Sequence, residues 1–315
     1  MAKFSFLCPV LLLCTASFSS ALNYRAVIGI LSRDMVEKPM PNKTSVIEAG
    51  YVKSLEASGA RIVPILINQS KDYYQNILTK INGVLFPGGP DGDLKYDGYV
   101  KAGKIVFDMI TQMNDKNDYF PLFGVGLGFE LLSFLVAKRS WLSTCSATNL
   151  PATLNFSEGL DKSRMLGNLD SALKKVMEEK PVTFNYHDMC LVPKNYTRSK
   201  LDKYFKVLAL SRDSRNETFI SVVEGKKYPF YGIMFHPEKV QFNFVVADPI
   251  NSVPHSLEAI QVAQYFSNFF VDEARKNTHQ FPDLAVEDSM LIYNYNPVFT
   301  GKYGSGYIDE QIYFF

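Results

Sequence analysis

The chain has 315 residues, with 33 basic and 32 acidic side chains and a formal net charge of +1. The charges are spread along the chain, so neither a basic stripe that would bind nucleic acid nor an acidic tail is present. Four cysteines are too few for a disulfide framework to hold a chain of this length together.

The first 21 residues have the pattern of a secretory signal peptide. A charged start is followed by a mostly apolar run from Phe4 to Ala16, and the small residues Ser19 and Ala21 suit cleavage after Ala21. The run is shorter than the roughly 20 apolar residues that a membrane span needs, and no later stretch is long and apolar enough. We therefore expect residues 1–21 to be removed and the chain to be secreted without a membrane anchor.

Residues 22–315 remain and are expected to form one domain, because no repeat or linker interrupts them. Cys145 and Cys190 stay in this mature chain, where they could pair in an oxidising compartment or both be buried thiols. Five Asn-x-Ser/Thr sequons are expected to accept glycans on exposed loops. The predicted glycosylation sites are Asn42, Asn68, Asn155, Asn195 and Asn216.

The first part of the chain alternates strands with helices. Continuous apolar runs predict buried strands over 26–31, 60–66 and 83–86. Apolar spacing predicts helices over 45–58, 71–80 and 99–113. The helix over 45–58 is given Ser45 as its cap and Gly59 as its stop. This alternation indicates a parallel sheet with helices on its faces.

The second part is less regular. Residues 141–185 give mixed signals, with Pro151 and Pro181 breaking the pattern. Strand-like segments are predicted over 204–210, 218–223 and 229–235 and are expected to be connected by hairpins. A long amphipathic helix over 256–277 should pack on the sheet. The aromatic-rich tail that starts at Phe281 is expected to pack on the body of the protein.

Residues 120–130 combine a short apolar strand, a sharp turn and the start of a helix. The turn is Gly124-Val125-Gly126-Leu127-Gly128, the geometry of a nucleophile elbow, in which a Ser or Cys is held out at the top of a sheet. Gly126 stands at the apex of the elbow and has no side chain. The shape of a hydrolase site is therefore predicted without the attacking atom.

Two further motifs carry chemistry. In Phe86-Pro87-Gly88-Gly89 the glycines would let backbone N–H groups approach a ligand oxygen, as in an oxyanion hole, although a tight turn alone would also explain them. His236 follows the last predicted strand, where Pro237 biases it towards an extended conformation. Glu238 is close enough in sequence to orient the imidazole, as in a Cys-His-Glu arrangement. A lone histidine at a strand end is more often structural, but Glu238 and the elbow favour a base.

With these motifs the chain resembles the gamma-glutamyl hydrolases, peptidases of folyl polyglutamates in the class I glutamine amidotransferase-like superfamily. The resemblance implies an α/β fold with a mostly parallel sheet flanked by helices and an additional antiparallel strand region. It implies no cofactor and no metal, a folyl polyglutamate or other gamma-glutamyl ligand, a homodimer, and an extracellular or lysosomal location. The shared stretches lie at 58–64, 81–89, 118–121, 127–130, 231–232, 236–239 and 270–277.

The resemblance also implies roles for single residues. His236 matches the catalytic histidine of the family, and Glu238 matches the third member of the triad. Gly89 and the backbone of Leu127 match the donors of the oxyanion hole. Two further polar residues, Glu130 and His187, match positions near the site.

The chain departs from the family at the apex, where Gly126 replaces the nucleophilic Cys. Loss of a triad nucleophile costs on the order of a millionfold in turnover. Three interpretations stay open: an inactive homologue that binds gamma-glutamyl ligands, a secreted glycoprotein acting through protein contacts, and an active folate gamma-glutamyl hydrolase. The last would need water or Cys190 as the nucleophile, or a sequencing error at Gly126. Because elbow residues tend to adopt positive φ, we expect Gly126→Cys to lower the melting temperature.

Overall fold

The structure is a computed structural model that describes residues 22–35, 40–89, 94, 97–245, 250–306 and 308–315. The predicted signal peptide, residues 1–21, lies outside the described residues. The strands are, in chain order, β1 (Val27–Leu31), β2 (Arg33–Asp34), β3 (Ser45–Glu48), β4 (Arg61–Ile65), β5 (Gly83–Phe86), β6 (Leu122–Val125), β7 (Ser143–Ala152), β8 (Asn155–Phe156), β9 (Thr183–Cys190), β10 (Phe205–Arg212), β11 (Thr218–Gly225), β12 (Phe230–Ile233), β13 (Val298–Phe299) and β14 (Gln311–Phe314).

The helices follow the periodicity of the sequence. They are α1 (Ala49–Ala57), α2 (Lys71–Leu78), α3 (Asp97–Asp115), α4 (Leu127–Ala137), α5 (Ser171–Glu179), α6 (Pro193–Arg198), α7 (Pro237–Phe242), α8 (Leu257–Ala274) and α9 (Leu284–Met290). Ser70 caps α2 and Ser256 caps α8, in each case by accepting a hydrogen bond from a backbone N–H of the first turn. Within the described part of the chain, no helix is both long and apolar enough to cross a bilayer.

The central sheet has eight strands in the order β4-β1-β5-β6-β12-β11-β10-β8. The first five are parallel, and the last three continue the sheet in antiparallel fashion. One buried apolar cluster joins α2, α3 and α4 to the sheet, and a second one joins α1, α7 and α8 to it. The predicted parallel sheet with helices on its faces and an added antiparallel region is therefore confirmed.

The parallel strands bring three predicted motifs to one edge of the sheet. β5 ends just before Gly88, β6 ends just before Gly126, and β12 ends three residues before His236. Because β5, β6 and β12 are neighbours and parallel, their carboxyl ends lie side by side. In open α/β sheets this edge is where ligands bind.

The predicted helix over 45–58 is wrong at its start. Residues Ser45–Glu48 form β3, and the helix α1 begins only at Ala49. The chain is held extended there because β3 pairs with β2 on one side and with the C-terminal strand β14 on the other. The predicted stop is confirmed, since Gly59 follows α1 with φ of 90°. The pairing of β14 also confirms that the tail packs on the body.

The region over 141–185, for which the sequence pattern is mixed, contributes most of a separate two-stranded antiparallel sheet of β7 and β9. Cys145 on β7 and Cys190 on β9 form a disulfide, with their Cα atoms 5.8 Å apart. Of the two alternatives left open by the sequence, the paired one is therefore found. The disulfide therefore links the two strands of this smaller sheet and not strands of the main sheet.

Candidate active site

The elbow is built as its glycines predict. Gly126 joins β6 to α4 with φ of 53° and ψ of −116°, a backbone conformation that is strained for any residue with a Cβ. Its N–H donates to the carbonyl of Ile233 at 2.9 Å, and its own carbonyl accepts from the N–H of Glu130 at 3.1 Å. Gly128 is required by close approach, because a Cβ there would lie 1.9 Å from the carbonyl oxygen of Phe86.

His236 is fixed at the end of β12 by its backbone and its ring. Its N–H donates to the carbonyl of Phe184 on β9 at 2.8 Å, and Pro237 then starts α7. On the ring, Nδ1 lies 2.8 Å from Oε1 of Glu238. Both side chains are almost fully buried. A carboxylate held at Nδ1 fixes the orientation of an imidazole, as in a catalytic triad.

The other nitrogen of the ring faces the elbow. An ideal Cβ built on Gly126 would lie 3.0 Å from Nε2 of His236 and 2.8 Å from Cε1. These distances are shorter than real Cβ contacts, so the ring fills part of the space that a side chain at position 126 would need. The histidine thus has the orientation of a base, and it meets a residue with no side-chain proton to remove.

Tyr51, on α1, links the histidine to the glycine turn after β5. Its hydroxyl accepts a hydrogen bond from the N–H of Gly88 at 2.8 Å and lies 3.4 Å from Nδ1 of His236. A Cβ on Gly88 would come within 2.5 Å of this hydroxyl and 2.6 Å of the His236 ring. Burial, and then the charge of Glu238, raise the pKa of Tyr51 well above its usual value, so the phenol stays protonated.

The two predicted oxyanion donors, Gly89 and Leu127, follow Gly88 and Gly126 in the chain. Gly89 follows Gly88 and is half-buried, while Leu127 is the first residue of α4. Backbone N–H groups in the first turn of a helix have no partner within the helix and attract negative charge. Glu130 lies in that same first turn and is buried.

Two buried ion pairs lie near His236 and Glu238. Lys239, next to Glu238 in α7, pairs with Asp309 of the C-terminal segment. Arg33 pairs with Glu48, its Nε lying 2.7 Å from Oε1 of the carboxylate. Burial lowers the pKa of Lys239, but the charges of Asp309 and Glu238 outweigh it and the net pKa is raised, so the ammonium is retained.

His187 lies on β9, beside the disulfide. Its Nδ1 is 3.6 Å from Sγ of Cys145 and 3.5 Å from Sγ of Cys190. Burial, followed by the charge of His236, lowers the pKa of His187 to about 3, so the ring is neutral at physiological pH. The structure thus places His187 beside the sulfur atoms of Cys145 and Cys190. A positive charge on His236 would disfavour protonation of His187.

Comparison with known proteins is decisive for the family. Residues 26–238 match the family model described as Peptidase C26. This chain belongs to the Peptidase C26 family. It is 39% identical over 293 residues to gamma-glutamyl hydrolase of Homo sapiens, an alignment that covers 92% of this chain and 90% of that protein.

Other C26 relatives are similar over nearly the full length. Gamma-glutamyl hydrolase B of Dictyostelium discoideum is 37% identical over 321 residues, covering 99% of this chain and 89% of the relative. Among solved structures, a glutamine amido transferase from Methylobacillus flagellatus superposes with a TM-score of 0.45 at 10% identity, covering 82% of this chain and 97% of that chain. A likeness at that level adds nothing to the fold that the strand order describes.

Neither Cys145 nor Cys190, the two cysteines of this C26 chain that the structure describes, is free to serve as a nucleophile. Cys190, named above as one route to activity, is covalently bonded to Cys145. A disulfide sulfur carries no thiolate, which is the form of cysteine that attacks. That route to an active enzyme is therefore wrong for the protein in this structure.

The five sequons of the C26 chain differ in exposure. Asn42, Asn68 and Asn216 are exposed at turns with positive φ, and Asn155 is exposed on β8, the strand at the edge of the sheet. Asn195 does not fit the expectation of an exposed loop. It lies half-buried in α6, and its Nδ2 donates to the carbonyl of Trp141 at 2.9 Å and to Oγ of Ser143 at 2.8 Å.

Proposed function

We propose that this protein is a catalytically silent member of the gamma-glutamyl hydrolases that binds gamma-glutamyl ligands, folyl polyglutamates among them, without cleaving them. The observation that carries the proposal is the ring of His236. It is held by Glu238 at Nδ1 and aims Nε2 at Gly126, which offers no atom to deprotonate.

The magnitude of the missing step supports inactivity. Without the nucleophile of a triad, the remaining catalysis comes from the oxyanion donors and from binding, and turnover falls by on the order of a millionfold. Water could take the place of the thiol only if it were fixed in position, and the His236 ring already occupies part of that space. Cys145 and Cys190 are bonded to each other and supply no substitute.

The backbone and side-chain groups around Gly126 support the proposed binding. The glycine turn after β5 and the first turn of α4 lie together at the carboxyl edge of the sheet. Backbone N–H groups there suit the carboxylate and carbonyl oxygens of a gamma-glutamyl chain. His236 and Glu238 form a buried polar pair beside these donors. Burial of such a pair costs free energy of desolvation, so its presence favours a role in binding.

The finer parts of the proposal concern location and assembly. We infer that residues 22–315 are one secreted, glycosylated domain, delivered to the extracellular space or to a lysosome or vacuole, and that it forms a homodimer. The leader pattern, the four exposed sequons and the Cys145–Cys190 disulfide all suit an oxidising compartment. Light scattering of the secreted chain, before and after glycan removal, would measure subunit number and glycan mass.

Equilibrium binding is the experiment that tests the proposal. The mature chain is titrated calorimetrically with a pteroyl pentaglutamate, and the ligand is then analysed by chromatography. We expect saturable binding with the ligand recovered intact. A monoglutamyl folate should bind more weakly, because it lacks the gamma-linked chain.

Two controls sharpen this test. Gly88→Ala places a methyl group against the Tyr51 hydroxyl and the His236 ring and should weaken binding, whereas Lys104→Ala on the exposed side of α3 should not. No binding at millimolar ligand would contradict the retained cleft. Release of glutamate at the rate of a thiol enzyme would contradict catalytic silence.

A further inference from the structure

The side chains of Cys145, His187 and Cys190 form a buried cluster that the proposed function does not use. Cys145 lies on β7, and the other two lie on β9. Their exposed fractions are 7%, 2% and 0%. Within the described part of the chain, this is the one group of three His, Cys, Asp or Glu residues whose ligand atoms all lie within 4.8 Å of one another.

We propose that reduction of the Cys145–Cys190 disulfide creates a metal site, in which the two thiolates and Nδ1 of His187 bind a borderline-soft divalent cation such as Zn²⁺. Thiolate and imidazole are the ligands that zinc prefers. Three protein ligands leave a fourth position for water or another small ligand.

The distances already fit such a site. A tetrahedral zinc with sulfur at about 2.3 Å and nitrogen at about 2.0–2.1 Å sets N···S edges of about 3.6 Å. Nδ1 of His187 lies 3.6 Å from Sγ of Cys145 and 3.5 Å from Sγ of Cys190. Only the two sulfurs need to separate, to an S···S edge of about 3.8 Å at the same bond lengths.

The histidine is held in the tautomer that a metal ligand requires. Nδ2 of Asn185 donates to the carbonyl of Leu150 at 3.2 Å, which turns Oδ1 of the same amide towards the imidazole. Nε2 of His187 lies 3.3 Å from this oxygen and donates to it. In the tautomer that this contact favours, Nδ1 is the acceptor nitrogen, and its lone pair faces the two sulfurs. A histidine that binds a metal through one ring nitrogen usually donates the N–H of its other ring nitrogen to an oxygen acceptor, which fixes the orientation of the ring.

The chemistry balances with one reductant and one cation. A phosphine reductant takes the disulfide to two thiols and is itself oxidised to the phosphine oxide, with the oxygen and the two thiol protons supplied by water. Binding of the divalent cation then displaces both thiol protons, because thiolates are the ligands. Affinity should therefore rise with pH, with two protons released for each metal bound.

Cobalt is the probe for the test, because tetrahedral Co²⁺ bound by thiolates has intense charge-transfer and d–d bands. The mature chain is titrated with Co²⁺ before and after treatment with a phosphine, and bound metal is counted by dialysis. We expect one Co²⁺ per chain with thiolate bands after reduction, and none before it. Zn²⁺ added afterwards should remove the bands by displacement.

Variants assign the ligands. Cys145→Ser and His187→Gln should abolish the bands, and Asn185→Ala should weaken Co²⁺ binding by about 10–100-fold through loss of its support to the ring. His255→Gln, an exposed histidine elsewhere in the chain, is the matched control and should bind like the parent. Bands that are unchanged in Cys145→Ser or His187→Gln would overturn the proposal, as would a folded, reduced parent that binds no Co²⁺.

Reduction could also loosen the two-stranded sheet of β7 and β9, and near-ultraviolet circular dichroism detects this. If the signal is lost on reduction, Zn²⁺ should restore it, because binding to the folded cluster stabilises the fold. Zn²⁺ that leaves the signal lost would overturn the proposal. The same holds for Co²⁺ bands that persist in denaturant, because they would show binding to the unfolded chain.

Discussion

The two sides of the candidate site differ in the side chains that they present. On the histidine side, Nδ1 of the buried His236 contacts both Glu238 and Tyr51, and the ion pair of Lys239 and Asp309 lies next to Glu238. On the elbow side, the strand, the turn and the helix are in place around Gly126, which has no side chain. The backbone geometry of the elbow and the geometry of the His236–Glu238 pair are therefore held independently of each other, the first by packing and the second by buried polar contacts.

The largest expected effect is on the elbow side. Gly128→Ala would place a Cβ against the backbone carbonyl of Phe86, which cannot move aside as a flexible side chain can. We expect a loss of more than about 3 kcal/mol in the free energy of unfolding, measured by urea denaturation. Gly159→Ala, at φ of 70° with open space around it, is the matched control and should lose only about 1 kcal/mol. Equal losses would show that packing at the elbow is loose.

An effect of similar size is expected on the histidine side. Lys239→Met removes one member of the buried pair with Asp309 and leaves two carboxylates, those of Asp309 and Glu238, without it. We expect a loss of about 3–5 kcal/mol in the free energy of unfolding. The exposed i,i+4 pair of Lys104 and Asp108 gives the control, since Lys104→Met should change stability by no more than about 0.5 kcal/mol. Similar values for both variants would mean that the histidine side is not held by its ion pairs.

A pH effect should come from His187. Its pKa of about 3 in the folded chain lies below the usual value of 6.5, so below pH 6.5 the unfolded chain binds a proton that the folded chain does not. The stability tied to the neutral ring is therefore complete above pH 6.5 and is lost as the pH falls towards about 3. At pH 5 the loss should be about 2 kcal/mol.

The difference between the parent and His187→Gln isolates this effect from other titrations. Thermal unfolding at pH 7 and pH 5 should show the parent losing about 2 kcal/mol more than the variant. His255→Gln, with an exposed ring, should follow the parent. Parallel curves for the parent and His187→Gln would contradict a buried neutral imidazole.

A change in stability no larger than these is expected at Gly126, the apex of the elbow. Gly126→Cys forces a residue with a Cβ to φ of 53° and brings that atom against the His236 ring. We expect the free energy of unfolding to fall by about 1–3 kcal/mol, with the fold kept. Gly126→Ala should lose a similar amount, because it shares the backbone strain and differs only in the sulfur. A rise in melting temperature would contradict the strain.

Much of this architecture was predictable because its signals are local. Apolar runs gave the strands of the parallel sheet, and the glycines of the elbow gave the turn, since each depends only on neighbouring residues. β3 was missed because its extended form depends on β14, more than 250 residues away in the chain. The Cys145–Cys190 bond and the pair of Lys239 with Asp309 were also beyond sequence patterns, since only the folded chain brings their partners together.

Glutamate release from a folyl polyglutamate is the measurement that tests catalytic silence most directly. The parent, Gly126→Cys and Gly126→Ala are assayed side by side at equal concentration and with equal folded fractions. We expect the parent and Gly126→Ala to stay at background, and Gly126→Cys to release glutamate above it because His236 and Glu238 regain a thiol to activate. A parent chain that releases glutamate as fast as a thiol hydrolase would contradict the loss of the nucleophile at Gly126.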